Sequence, residues 1–345
     1  MTGFGKVRMV RTVVDGVLQE QEDEAIRRAG YVHLYGVSEM SALLAGRRGL
    51  DAVTASVAGM LHDIYTCRTG LRLLHAPSGA EDARVILRDL GVFSQEEQQR
   101  IHSAILRHSD KERVDDPYDE LLKDADVLQH YLHDPAKSFP PAAAERIRNV
   151  TAELGLPAVE VRASETKPTA QAGSISLRAR LANVAEELAR QPLVGNENQS
   201  GPDVWPLIRY FPGARRDQGW DWCASFVYHC AMQAGLFLPI RYPGVSCRFA
   251  SVPAWLEWAK LPEIGFFHRV DEPGFAPERG DLIVCDRLVS SAEHDHIGVV
   301  LDRDDCTLVA AEGNVSNRSG VFRRDRFLQV NGFIRVEDSY RYSWP

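Results

Sequence analysis

Three short pieces of the chain carry residue types suited to holding a divalent cation. In LHDIY the adjacent pair His62-Asp63 ends an apolar helix and offers one imidazole and one carboxylate at the same helix end. His33 supplies a further imidazole, and the acidic segment KDADVLQHYLHD a further carboxylate. Mixed imidazole and carboxylate ligation suits Mn, Fe, Co, Zn or Mg, ions that lower the pKa of a bound water and clamp a phosphoryl oxygen. A second set, far along the chain, has the parts of a thiol nucleophile. Cys223 in GWDWCASFVYHCAMQAGL opens an apolar-faced helix, where the positive end of the macrodipole favours thiolate over thiol. His296 in HDHIGVVL supplies a base directly ahead of a buried-looking strand. Glu312 and Asn314 in AAEGN share one face of the next strand by two-residue alternation. Nucleophile, base and acid follow in that order.

Two different kinds of structure must position these groups. Apolar residues recur at three and four around Val37 to Leu44, Ala52 to Leu61, Ala83 to Leu90 and Tyr118 to Leu132, which predicts an all-α domain over residues 1-155. Ser94-x-x-Glu97 is a capping box opening a helix that runs to about His108. The polar stretch PAVEVRASETKPTAQAGS has no period and reads as a flexible linker over 156-175. From 176 to 345 the texture is α+β. One helix covers about Leu177 to Gln191 and stops at Pro192, and another covers about Trp222 to Leu236. Short strands follow at Asp281 to Cys285, Ile297 to Leu301, Thr307 to Ala311 and Gly332 to Val336.

Composition narrows the function classes. A chain of 345 residues, 44% hydrophobic and 26% charged, has enough apolar residues for two cores and is neither disordered nor collagen-like. The net charge of −8 is spread over both halves, and no Lys/Arg run matches a phosphate backbone, so duplex nucleic acid is not an expected partner. The longest apolar runs, Ala55 to Leu61 and Gly235 to Ile240, fall short of the roughly 18 residues that span a bilayer. No membrane partner is expected. The amino end lacks the apolar run of a signal peptide, and the six cysteines lack C-x-x-C spacing, as suits thiols in a reducing cytosol.

The first half resembles the HD superfamily of metal-dependent phosphohydrolases, whose ordered signature is H…HD…D on a helical bundle. The matching pieces are His33 in YVHLYGVSEMSALLA, His62-Asp63 in AGMLHDI and Asp126 in DADVL, over about residues 25 to 150. The resemblance implies that His33, His62, Asp63 and Asp126 hold one divalent ion. Asp126 is preferred to Asp124 because the family places its aspartate just before a short apolar stretch. His75 and His108 fall where members with two metals carry further histidines, which allows a second ion. Arg68 and Lys111 lie close to the motifs in sequence, while His102, His130 and His133 match nothing and read as surface or core residues.

The second half resembles the CHAP family of cysteine, histidine-dependent amidohydrolases and peptidases, cousins of the NlpC-type and papain-like peptidases. WCASFV, PERGDLIVC, DHIGVV and EGN occur in the family's order over roughly 176 to 340. The resemblance implies a papain-like α+β domain with a small antiparallel sheet. It makes Cys223 the nucleophile, His296 the general base and then acid, and Glu312 the residue orienting the imidazole, with Asn314 in support. Cys67, Cys230, Cys247, Cys285 and Cys306 read as ordinary thiols and His229 and His268 as structural, while His294, two residues before His296 but outside the apolar run, is the poorer candidate for the base.

The expected protein is a cytoplasmic, bacterial, bifunctional hydrolase. Its first site takes a nucleotide or other phosphate ester and needs one or two divalent ions, with no further cofactor. Its second takes a peptidoglycan-type peptide or a small amide. Two other readings stay open: the HD half as a nucleotide sensor that regulates the cysteine hydrolase, and a secreted or phage-type cell-wall lysin. With an ordinary imidazole pKa near 6.5, amide cleavage is expected to fall away below about pH 6.

Overall fold

The computed structural model describes residues 2–157, 160–164, 175–325 and 328–343. The chain divides into two compact units, Met1–Gln171 and Ala172–Pro345.

The first unit is helical: α1 (Gly3–Gln19), α2 (Glu24–Arg48), α3 (Ala52–Leu61), α4 (Ile64–Thr69), α5 (His75–Leu90), α6 (Gln95–Arg107), α7 (Pro117–His133) and α8 (Pro141–Glu153). The amino end forms α1, with Val10, Val14 and Leu18 making an i, i+4, i+8 stripe on the core. Helix starts are fixed by side-chain caps. Asp23 accepts from the Ala25 and Ile26 amides, Asp51 from Thr54, and Ser94 and Glu97 close the expected capping box. Glycines in the left-handed region end α2 and α4, at Gly49 and Gly70.

At the centre α2 packs on α3 and α7 around Leu34, Val37, Val57, Leu61, Leu121 and Leu128. The α2–α3 approach depends on Gly59, where a Cβ would stand 2.7 Å from Ser38 Cα and 2.8 Å from Ser38 N. That closeness lets the end of α3 meet the middle of α2. The helix stops at Leu61, and Asp63 leaves helical geometry (φ −112°, ψ 18°) to start α4, so His62 and Asp63 stand at a break between two helices.

The expected linker over 156-175 is corrected in part. Residues 161–164 belong to the first unit: Phe139 N–H donates to Arg162 O and Ser164 N–H to Phe139 O, and Val161 packs near Phe139 and Ile147. Extended backbone gains these bonds more readily than a polar composition suggests. Residues 158, 159 and 165–174 of that stretch lie outside the described residues.

The second unit begins with α9 (Leu177–Arg190), α10 (Trp205–Ile208), α11 (Cys223–Ala234) and α12 (Val252–Lys260). Its strands are β1 (Phe267–Arg269), β2 (Leu282–Cys285), β3 (His296–Arg303), β4 (Thr307–Val315), β5 (Arg318–Asp325) and β6 (Val330–Ile334). They form one antiparallel sheet in the order β1-β6-β2-β3-β4-β5. Helix α11 lies on β3 and β4, which brings the helix start next to the two strands that carry the other candidate residues. Trp222, Trp255 and Trp258 are fully buried and belong to the core.

Gly59→Ala is expected to destabilise the first unit by about 1–3 kcal/mol, because a Cβ meeting backbone atoms cannot be absorbed by a rotamer change. Thermal unfolding of the full chain checks this, and the higher of any two transitions should belong to the unaltered unit.

Candidate metal centre and thiol site

The four residues His33, His62, Asp63 and Asp126 converge. His33 Nε2 and His62 Nε2 are 3.0 Å apart. Asp63 Oδ2 lies 3.7 Å from His33 Nε2 and 3.9 Å from His62 Nε2, and Asp126 Oδ1 lies 3.6 and 3.8 Å from the same atoms. Donors bound to one ion at about 2.0–2.2 Å stand roughly 3–3.6 Å from one another, so these spacings fit a shared cation. The outer nitrogens are committed elsewhere. His33 Nδ1 meets Gln129 Oε1 at 2.8 Å, and His62 Nδ1 meets Gly59 O at 2.8 Å, an arrangement that turns both Nε2 atoms to the centre.

The other oxygen of Asp63 faces a second pair. His75 Nε2 and His108 Nε2 are 3.2 Å apart, and each is 3.6 Å from Asp63 Oδ1. Their Nδ1 atoms meet Arg72 O and Ile105 O at 2.7 Å. Among the described residues Asp63 Oδ1 and Asp126 Oδ1 are buried with no hydrogen-bond partner. The imidazoles around these two oxygens stand off at 3.5 to 3.8 Å, too far for a hydrogen bond and suited to an intervening cation.

Electrostatics favour the ligating form at His62 and Asp126. Burial, helped by neighbouring His33 and His108, pushes His62 down to about 3, which keeps it in the neutral form that binds metal. Burial also works against His33, but Asp63, Asp126 and Gln129 prevail and raise it. Burial opposes ionisation of Asp126, yet Lys111 and the imidazoles hold it far below the usual carboxylate range. Lys111 Nζ donates to Asp126 Oδ2 at 2.7 Å and to His108 O at 2.6 Å.

Two positions on α7 separate Asp124 from Asp126, so they point to nearly opposite sides of the helix. Asp126 enters the cluster, while Asp124 pairs with Arg48 (2.8 Å) and Arg146 (2.9 Å). His130, read from sequence as a surface or core residue, is corrected: one turn after Asp126, it stacks on His33 with ring centroids 4.6 Å apart and stands 3.5 Å from Asp126 Oδ1. Its i+4 spacing from Asp126 was the available signal. Arg68 forks onto buried Asp82 instead of facing the cluster. A cavity of about 560 Å³ opens onto the cluster, with Arg72, Lys111 and Lys137 among its cations and Ile26, Val32 and Val127 on its apolar wall.

In the second unit Cys223 is the first residue of α11 and is 4% exposed. Its Sγ lies 4.0 Å from the carbonyl oxygen of Asp295, the residue before His296. His296 Nε2 and Glu312 Oε2 are 2.8 Å apart, and both side chains are buried. Among the described residues His296 Nδ1 is buried with no hydrogen-bond partner, which leaves that nitrogen for Cys223. The strand register explains the pairing. Glu312 lies opposite Gly298, and a Cβ on Gly298 would stand 2.6 Å from Glu312 Cγ, so the missing side chain lets Glu312 cross to His296 two residues away.

Burial disfavours a charged His296, but Cys223 and Glu312 together raise it to about 9. Glu312 resists burial in the same way, held below its ordinary range by His296 and Arg324. The expectation of an acid limb set by an ordinary imidazole near pH 6 is therefore corrected: this imidazole keeps its proton well above neutrality.

Asn314 is corrected as well. The register slips between Glu312 and Val315, Asn314 takes a left-handed conformation (φ 62°), and its Nδ2 donates to Asp221 Oδ1 at 3.0 Å instead of supporting His296. A bulge breaks the alternation on which its placement rested. His294 faces Asp286, with Nδ1 2.8 Å from Oδ1. The residue that sequence reading missed is Arg324 on β5, whose Nε and Nη2 donate to Glu312 Oε1 and Oε2 at 2.9 and 2.6 Å.

Comparison with known proteins bears on the first unit. Residues 30–131 match the family described as HD domain. A solved structure described as a predicted HD superfamily hydrolase from an uncultured Thermotogales bacterium is similar to this chain at 23% identity. That similarity covers 44% of this chain and 88% of the other, with a TM-score of 0.29. Among curated proteins none matches. The chain thus carries an HD domain at residues 30–131, and the histidines and aspartates of its metal-competent cluster lie within that span.

Proposed function

We propose that the chain carries two hydrolytic sites, a metal-dependent phosphohydrolase in the first unit and a cysteine amidohydrolase or peptidase of papain-like type in the second. The observation that supports the first most directly is the pair of buried, unpartnered oxygens on Asp63 and Asp126, ringed by imidazoles at 3.5 to 3.8 Å. His33, His62, Asp63 and Asp126 would hold one divalent ion, and Asp63 with His75 and His108 a second. Such an ion lowers the pKa of a water and takes up charge on a phosphoryl oxygen. Gln129 and the Gly59 carbonyl hold the ligating rings in orientation. Arg72 and Lys137 on the cavity wall offer cations to the phosphate, and the apolar wall accepts the organic part of an ester.

In the second unit Cys223 would attack an amide carbonyl carbon, breaking the C–N bond after His296 passes its proton to the leaving amine. Water then cleaves the thioester, with His296 taking a proton from that water and Cys223 recovering its thiolate. The Cys223 N–H, in the first turn of α11 where backbone donors have no partner within the helix, would donate to the developing oxyanion.

Metal content measured by plasma emission, on protein purified without added metal and then reconstituted with Mn, tests the first site. The wild type should hold one or two ions per chain and release phosphate from p-nitrophenyl phosphate. Asp126→Ala should lose metal and at least about 100-fold in rate; Cys223→Ala should match the wild type in both.

The second site is read from pH-resolved alkylation by iodoacetamide. Cys223 should react ahead of the other five cysteines. Because His296 is raised to about 9, the imidazolium beside the thiol persists below that pH and is lost as pH rises through it, so the profile should break near pH 9.

A further inference from the structure

Glu312 is fully buried, and its two oxygens serve two partners. Oε2 accepts from His296 Nε2 at 2.8 Å and from Arg324 Nη2 at 2.6 Å, while Oε1 accepts from Arg324 Nε at 2.9 Å. Arg324 is itself largely withdrawn from water, at 20% side-chain exposure, with its guanidinium over the Phe322 ring. We propose that Arg324 is a positioning residue of the thiol site, holding Glu312 ionised and in the one orientation that turns His296 Nδ1 to Cys223. This deepens the amidohydrolase reading above and rests on it.

The chemistry explains why a second cation is needed. During turnover His296 alternates between imidazolium and imidazole as it hands a proton to the leaving amine and takes one from water. Whenever it is neutral, Glu312 without Arg324 would be a buried anion facing no positive charge, a state with a heavy desolvation penalty. It would respond by drawing the proton back, on to His296 or on to itself. A guanidinium does not deprotonate at any working pH, so Arg324 compensates Glu312 in both halves of the cycle. Its planar fork also fixes the carboxylate plane through two parallel bonds, which a single ammonium cannot do.

The other groups around His296 do not substitute. From α11 it meets Cys223, and from β2 the register partner Cys285, whose thiol burial pushes well up. The Asp295 carboxylate is occupied by the Leu288, Val289 and Ser290 amides, and Asp286 by His294.

The test uses the full chain and iodoacetamide alkylation of Cys223, followed by mass spectrometry from pH 5 to 10.5, with circular dichroism as the folding control. Arg324→Met removes a positive charge and should raise every proton affinity in the cluster. The break near pH 9 should move up by a unit or more, and reactivity at pH 7 should fall at least tenfold. Arg324→Lys keeps the charge and loses the fork; its break should stay within a few tenths of a unit of the wild type while reactivity falls at least threefold. A merely structural arginine would lower thermal stability and leave both breaks in place. A folded Arg324→Met protein with the wild-type profile would overturn the inference. If that variant does not fold, an Arg324→Lys protein as reactive as the wild type overturns it instead. A wild-type Cys223 no more reactive than exposed Cys306 would defeat the amidohydrolase reading itself, and this inference with it.

Discussion

A carboxylate withdrawn from water must have its charge balanced by groups that cannot leave, and both sites of this protein are organised around that constraint. In the first unit Asp63 and Asp126 sit among five imidazoles, and Lys111 supplies a permanent cation in direct contact with Asp126. In the second, Glu312 lies between an imidazole and a guanidinium. The two solutions differ in a way that matches their proposed chemistry. Glu312 has donors at hydrogen-bonding distance on both oxygens, whereas Asp63 and Asp126 each keep one oxygen buried and unbonded. A fully bonded carboxylate is an orienting group; an open one is a ligand.

Close backbone approach makes each arrangement possible. Gly59 allows α3 to cross α2 near Ser38, which puts His62 against His33, and its own carbonyl then orients the His62 ring. Gly298 clears the path by which Glu312 reaches diagonally across to His296. Either site would be displaced by a single methyl group some distance from the reacting atoms. This is how tight packing transmits into chemistry.

Much of the first site could be read from residue types in order. His33 and Asp126 stand inside α2 and α7 and His62-Asp63 at the end of α3, and a regular helix projects its side chains predictably. The same regularity explains why Asp126, not Asp124, enters the cluster. His130 escaped because an i+4 histidine on a helix is common, so its spacing from Asp126 is a weak signal. In the second unit the order of Cys223, His296 and Glu312 was readable because one opens a helix and the others lie on largely buried apolar strands. Asn314 was misplaced by one irregularity, the slip after Glu312, and Arg324 was hidden in RSGVFRRD, whose charge obscures a strand.

Residue order and periodicity were thus enough for a helical first part, a second part with a sheet, and most of the side chains that converge in each cluster. These follow from local backbone preference and from which side chains avoid water, and both are properties of neighbouring residues. Which oxygen of Asp63 faces which histidines, which nitrogen of His296 faces the thiol, and which cation holds Glu312 depend on contacts between segments up to about a hundred positions apart, such as His33 with Gln129. Such contacts are set by glycine clearances and a strand bulge, features that a periodic pattern averages away.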